Sequence, residues 1–322
     1  MAGIFDRKSK FLLLLCVLAI VTSSGCVTGT NQTTGGPGIV VEKFETSQTL
    51  IESGEPVSLQ LEVRNMGDYN GEMGLGAPVI AEIMSLDPTE WMVTPSTIID
   101  LGTLSAPDPE SQTRGGLGKA TWNLVSPMLD RGQRKTYEIR GRVYYQYETK
   151  AIKPIWFVTA NELEAIVKAG ESLAAEPTTV TAGPLSVNVR AGNFVKQTEW
   201  RNARFQLEIE IRNAGGGRIM CDKYPVAIQV EWPPWVAPVE GNCPSETLLI
   251  GTPIYDDVPP GLPVPSGTFI QVWDGQSTDL TCDFEVIDVP SSRTQGNFEI
   301  KLGYIYSVDA TTQITVKGME QF

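Results

Sequence analysis

The sequence predicts an all-β fold, two tandem antiparallel β-sandwiches behind an N-terminal signal segment, on three observations. From residue 39 onward apolar and polar residues alternate at period two along most segments, as in strands with one buried face. Turn residues separate those segments, and a helical period appears in one short stretch only. The second half of the chain also repeats the first in the same order.

The chain has 322 residues, 41% hydrophobic and 20% charged, which is enough apolar content for two domains with proper cores. Its formal charge is −13; the leader holds three basic residues and one acid, so the remainder stands near −15. Nucleic acid and anionic surfaces need a basic face, and this balance disfavours both as partners. There is no histidine. Imidazole general bases, His-containing zinc sites and His-dependent triads are thereby excluded.

Residues 1–26 form the signal segment. Arg7, Lys8 and Lys10 precede an apolar run over residues 11–21, and Thr22-Ser23-Ser24-Gly25-Cys26 follows. The run is well short of the roughly 20 residues that a membrane-spanning helix needs. Ser24-Gly25-Cys26 resembles the lipobox of exported lipoproteins, which implies cleavage before Cys26 and lipid on its sulfur. The alternative is an ordinary secretory signal cut at a nearby small residue. Each buried methylene contributes about 0.8 kcal/mol, so two acyl chains hold a soluble domain at a membrane where one does not. Cys16 would leave with the signal. Residues 27–38 read as a flexible polar tether, and Asn31-Gln32-Thr33 within it is a glycosylation sequon.

The first sandwich is expected over residues 39–159. Val57, Leu59, Leu61 and Val63 alternate with polar residues up to the turn signal Asn65-Met66-Gly67. Further strands are expected over 78–84, 97–101, 120–125, 136–148 and 152–158; in the longest, Tyr137, Ile139, Val143, Tyr145 and Tyr147 share one face. About seven strands with turns between them point to a two-layer sandwich. Residues 160–183 form a linker. There Thr159-Ala160-Asn161-Glu162 has capping-box spacing, Leu163, Ile166 and Val167 make a helical stripe, and Gly170 offers a stop.

The second sandwich is expected over residues 184–318 as a copy of the first. Leu59 to Asn65 is echoed by Leu207 to Asn213, with Gly67 and Gly215 following each Asn at the second position. Leu101-Gly102-Thr103 recurs as Ile250-Gly251-Thr252, and Tyr137-Glu138-Ile139-Arg140 as Phe298-Glu299-Ile300-Lys301, with Tyr145 answered by Tyr306. The displacement grows from 148 (Leu59 to Leu207) to 161 (Tyr137 to Phe298), placing thirteen extra residues in the proline-rich stretch 232–267. A strand ending Val-x-Asn-x-Gly, in tandem copies behind a lipobox, resembles the CARDB-type and related immunoglobulin-like domains of archaeal and bacterial surface proteins. That resemblance implies adhesion, spacer or presentation modules and carries over no catalytic residue.

Three cysteines remain beyond Cys26. Leu280, Cys282, Phe284 and Val286 share a strand face, so the Cys282 thiol is expected in the core and Cys221 and Cys243 pair by elimination; the competing arrangement pairs Cys282 with one of them. Trp232-Pro233-Pro234-Trp235 could stack on a sugar ring or a partner, but Trp91 matches Trp235 in the first copy, which favours Trp235 as a plug. Asp274, Asp279 and Asp283 read as solvated turn acids, because their spacing is not that of an EF-hand. Outward-facing Tyr144 and Ile305 imply that something covers their sheet face. Together these readings describe a non-catalytic, lipid-anchored surface protein without cofactor or metal, with envelope proteins or glycans as partners. The alternatives are a filament or surface-layer subunit assembling by strand donation and a carbohydrate-binding module.

Overall fold

The structure, a computed structural model, describes residues 36–71, 73–87, 89–197, 203–221, 225–239, 243, 258–288 and 293–319. Cys26, Asn31 and the Ile250-Gly251-Thr252 echo lie outside the described residues. The chain divides into Met1–Gln32 and Thr33–Phe322, and every described residue belongs to the second unit.

The first half contributes β1 (Ile39–Thr46), β2 (Leu50–Glu52), β3 (Pro56–Asn65), β4 (Ala77–Ile83), β5 (Met92–Thr94), β6 (Ile98–Leu104), β7 (Leu117–Val125) and β8 (Arg134–Thr159). A helix, α1 (Ala160–Lys168), and β9 (Thr179–Val180) follow. The second half contributes β10 (Leu185–Arg190), β11 (Phe194–Gln197), β12 (Arg204–Asn213), β13 (Arg218–Ile219), β14 (Val226–Glu231), β15 (Val236–Pro238), β16 (Thr268–Ile270), β17 (Ser277–Val286) and β18 (Arg293–Lys317). The fold is all-β, as expected, and the alternation expected in β3 places Val57, Leu59, Leu61 and Val63 in the core. Thr159 caps α1 by accepting from the Glu162 amide at 3.3 Å, and Gly170 follows the helix at φ +76°.

The halves are not independent sandwiches joined by a linker, which corrects the expected division at 160–183. Each supplies one four-stranded sheet, β1-β3-β7-β5 and β10-β12-β17-β15, but a single ten-stranded sheet runs through both, with six strands in the order β16-β14-β18-β8-β4-β6 and the short β2, β9, β11 and β13 paired to β8 or β18 off that path. The seam is the antiparallel ladder of β8 with β18, from Arg134 opposite Lys317 to Val158 opposite Arg293. Short strands cross the seam: β2 pairs with the end of β18 and β11 with the end of β8. One hydrophobic core therefore spans both halves, including Leu59 and Trp122 from one and Leu207 and Phe284 from the other. The apolar stripe of α1 adds a smaller cluster in which Ile166 and Leu173 pack on Val158.

The repeat is real but its late register differs from the sequence echo. Tyr147 Oη accepts the amide of Tyr69, four residues after Asn65, and Tyr306 Oη accepts that of Gly217, four residues after Asn213. Val79 stands opposite Tyr145, as Val226 stands opposite Tyr304. Tyr145 thus corresponds to Tyr304, a displacement of 159, and the echo read from sequence (Tyr145 to Tyr306, 161) had slipped by two. A slip of two leaves every side chain on its original face, so alternation alone does not detect it. The approximate two-fold axis passes by the Gln146–Ile305 pair. Beside it Tyr145, Tyr147, Tyr304 and Tyr306 form a closed ring with neighbouring centroids 5.7, 6.0, 6.0 and 6.2 Å apart.

Candidate functional site

The Asn-x-Gly motif builds the waist of the molecule. Asn65 is fully buried; its Nδ2 donates to the carbonyls of Tyr69 and Leu104 at 3.0 Å each, and its Oδ1 accepts the Gly67 amide at 3.1 Å. A Cβ at Gly67 would collide with Tyr147 Oη and with the carbonyl oxygens of Pro37 and Ala182, so glycine is required by close approach. In the second half, Gly215 donates to Asn213 Oδ1 at 3.2 Å and lies against Tyr306 Oη.

The segments that follow these motifs reach over the other half of the shared sheet and make two clefts. Residues 218–221 face Glu82 and Met84 of the first half across a cleft of about 920 Å³, the larger of the two. Asp68, Asn70 and Gly71 face Ala227, Ile228 and Gln229 across a second one of about 540 Å³. The repeat thus relates the two openings.

The floor of the larger cleft carries a paired network. Arg142 holds Asp309 through two bonds, Nε to Oδ1 at 2.6 Å and Nη2 to Oδ2 at 2.9 Å, and Arg218 approaches the same carboxylate at 3.5 Å. The hydrogen bond from Arg142 keeps the Asp309 carboxyl below the usual range. Tyr144 donates to Glu82 Oε2 at 2.9 Å; burial, reinforced by that carboxylate, pushes its hydroxyl up to about 12. Trp273 stands on the rim, 57% exposed, directly before the turn at Asp274-Gly275, where Gly275 has φ +77°. Asp274 accepts from Asn213 Nδ2 at 2.7 Å. Paired charges beside an open indole suit recognition of a polar ligand with one apolar face.

The cover over Tyr144 and Ile305 is the chain's own proline-rich insertion: Leu262 and Val258 pack on Ile80, Tyr144, Met220 and Ile305. Trp235 is half-buried against the core, its ring 6.4 Å from that of Phe157. Trp232 packs on Phe284 at 5.7 Å and is likewise half-buried, so neither indole forms the open platform. Trp273 does, and the sequence signal for it was a tryptophan placed on an Asp-Gly turn ahead of a strand.

The disulfide joins Cys243 to Cys282, with Cα atoms 4.5 Å apart, and corrects the expected pairing of Cys221 with Cys243. Leu59 pairs with Trp122 where Leu207 pairs with Cys282, so the second half has a small thiol where the first has a fully buried indole. The smaller side chain leaves room for Cys243 to enter the core and bond to it. Cys221 instead lines the larger cleft, half-buried, at φ +109°. Among the described residues no group of three or more Cys, Asp or Glu is placed to hold a metal ion. Compared with known proteins, the chain matches no family model, and no curated protein is significantly similar to it.

Proposed function

We propose that the chain is a lipid-anchored, non-catalytic protein of the outer face of the cell membrane, whose two immunoglobulin-like halves serve adhesion, partner binding or structural spacing. The observation that carries this reading is Ser24-Gly25-Cys26, placed directly after an apolar run too short to span and before a polar tether. A disulfide between two buried cysteines agrees with an exported, oxidising setting. The immunoglobulin-like reading is supported by strand order. Taking β1, β3, β4, β5, β7 and β8 as A to F, one sheet reads A-B-E-D and the other sets C beside F. The place of a strand G beside F is held by β18 of the other half, and the CARDB-type resemblance belongs to the same reading.

Replacing Cys26 by Ser tests the anchor: the expected result is release of the protein into the medium, and unchanged retention in the membrane fraction would count against it. Exposed Trp273 at the cleft favours one second reading, a carbohydrate-binding module. A glycan array with Trp273→Ala as control addresses it, and equal binding by both proteins would remove it.

A further inference from the structure

The repeat makes the two clefts counterparts of one another, and their chemistry has diverged. Glu82, Arg142 and Asp309 stand in one cross-strand row at the larger cleft; the corresponding row at the smaller cleft is Gln229, Lys301 and Lys150. Tyr144, opposite Ile80, has Gly303, opposite Ala227, as its counterpart, and there a Cβ would meet Pro265 of the insertion at 3.1 Å. Each lysine of the smaller cleft already has a carboxylate, Lys301 with Glu231 at 2.5 Å and Lys150 with Glu148 at 3.3 Å. Its large apolar side chains, Tyr69, Tyr147 and Ile228, are buried, whereas Trp273, Met84 and Ile98 of the larger cleft are exposed.

The larger cleft is left with a definite set of open groups. Arg142 already holds both oxygens of Asp309, so Arg218, its side chain 57% exposed, reaches that carboxylate only at 3.5 Å and keeps donors free for a ligand. Tyr144 bonds Glu82 Oε2, and among the described residues none bonds Oε1. Asn213 Nδ2 donates to Asp274 Oδ1 at 2.7 Å and to Gly217 O at 3.1 Å, so one amide ties together the residues next to Trp273 and Arg218. A flat indole, a guanidinium donor and a carboxylate acceptor in one cleft match a sugar, whose ring face carries C–H groups and whose edge carries hydroxyls that both donate and accept. Opposite charges in the same cleft penalise a ligand of either net charge at one of them, whereas hydroxyls satisfy both. The volume of about 920 Å³ lies near the upper end of the roughly 300–1,000 Å³ of ordinary ligand pockets, room for more than one ring. We propose that the larger cleft binds an uncharged oligosaccharide, with one ring stacked on Trp273 and hydroxyls held by Glu82 and Arg218. This rests on the carbohydrate-binding reading given above and names its site and ligand class.

The test is titration calorimetry of the intact chain with oligosaccharides of neutral hexoses in the gluco, galacto and manno series, with uronate and amino-sugar oligomers alongside. The expected result is one site per chain for a neutral oligomer. Trp273→Ala should weaken it about tenfold, as for loss of a stacked ring, while Arg218→Gln and Glu82→Gln weaken it several-fold and Gln229→Ala, in the smaller cleft, leaves it unchanged. Trp273 and Arg218 are exposed, so their replacement spares the core, and unchanged melting curves verify it. Saccharide binding that survives Trp273→Ala and Arg218→Gln together, or that is lost in Gln229→Ala, would overturn the site and leave the carbohydrate-binding reading standing. Binding of charged oligomers alone would overturn the ligand class. Absence of binding to every saccharide would remove that reading and this inference together.

Discussion

Asn65 shows how much a single buried amide can organise. Its three hydrogen bonds close the turn after β3 and bind it to the end of β6. Replacement by Ala leaves two carbonyls and an amide without that partner, and the expected loss is about 3 kcal/mol, read as a lower urea midpoint. Asn213→Ala should lose less, since Asn213 is only half-buried. The tyrosine ring sets the alkaline limit. Burial raises the hydroxyls of Tyr145, Tyr147 and Tyr304 above the ordinary value near 10, so the folded state keeps protons that the unfolded chain releases. Stability is therefore full below about pH 10 and falls as pH rises beyond it. Melting temperatures measured from pH 8 to 11 should drop steeply only in the upper part of that range; a flat profile would show that these hydroxyls ionise as readily folded as unfolded. Both the Asn-x-Gly motif and the tyrosine alternation were legible in sequence. That each glycine abuts the hydroxyl of a tyrosine at least 80 residues away was not, because contact across that separation leaves no local pattern.

Among the elements, β17 and the segment after β15 carry the one covalent cross-link among the described residues. A bridge closing 39 residues is expected to stabilise by about 4 kcal/mol in the chain-entropy model. Cys282→Ser should lower the melting temperature strongly while Cys221→Ser leaves it nearly unchanged, and peptide mapping should recover Cys243 with Cys282. The reverse order of effects would restore the pairing expected from sequence. Elimination failed because it treated an inward-facing cysteine as a filler, whereas burial is compatible with a bond when the partner is buried too. The edge strand β6 bears on assembly. The register shift opposite Val79 and Ile80, with Gly102 at φ +73° inside the strand, interrupts its pairing and blunts it against strand addition.

For the whole molecule, the consequence of the shared sheet is cooperativity. With β8 and β18 paired over 25 positions and β2 and β11 crossing the seam, separating the halves would break the longest ladder among the described residues and two shorter ones. Calorimetry of the chain should show a single transition with calorimetric and van't Hoff enthalpies in agreement, and two resolved transitions would contradict the interlocked arrangement. Fold class, strand alternation, the capped helix and the existence of a repeat were determined by sequence alone, because each rests on local period, turn chemistry or self-similarity. The joining of the two halves through one sheet, the two-residue register of the late repeat, the Cys243–Cys282 bond and the exposure of Trp273 were decided by tertiary structure. They depend on which strand edge finds which partner and on what volume remains in the core, and period-two patterning is blind to both.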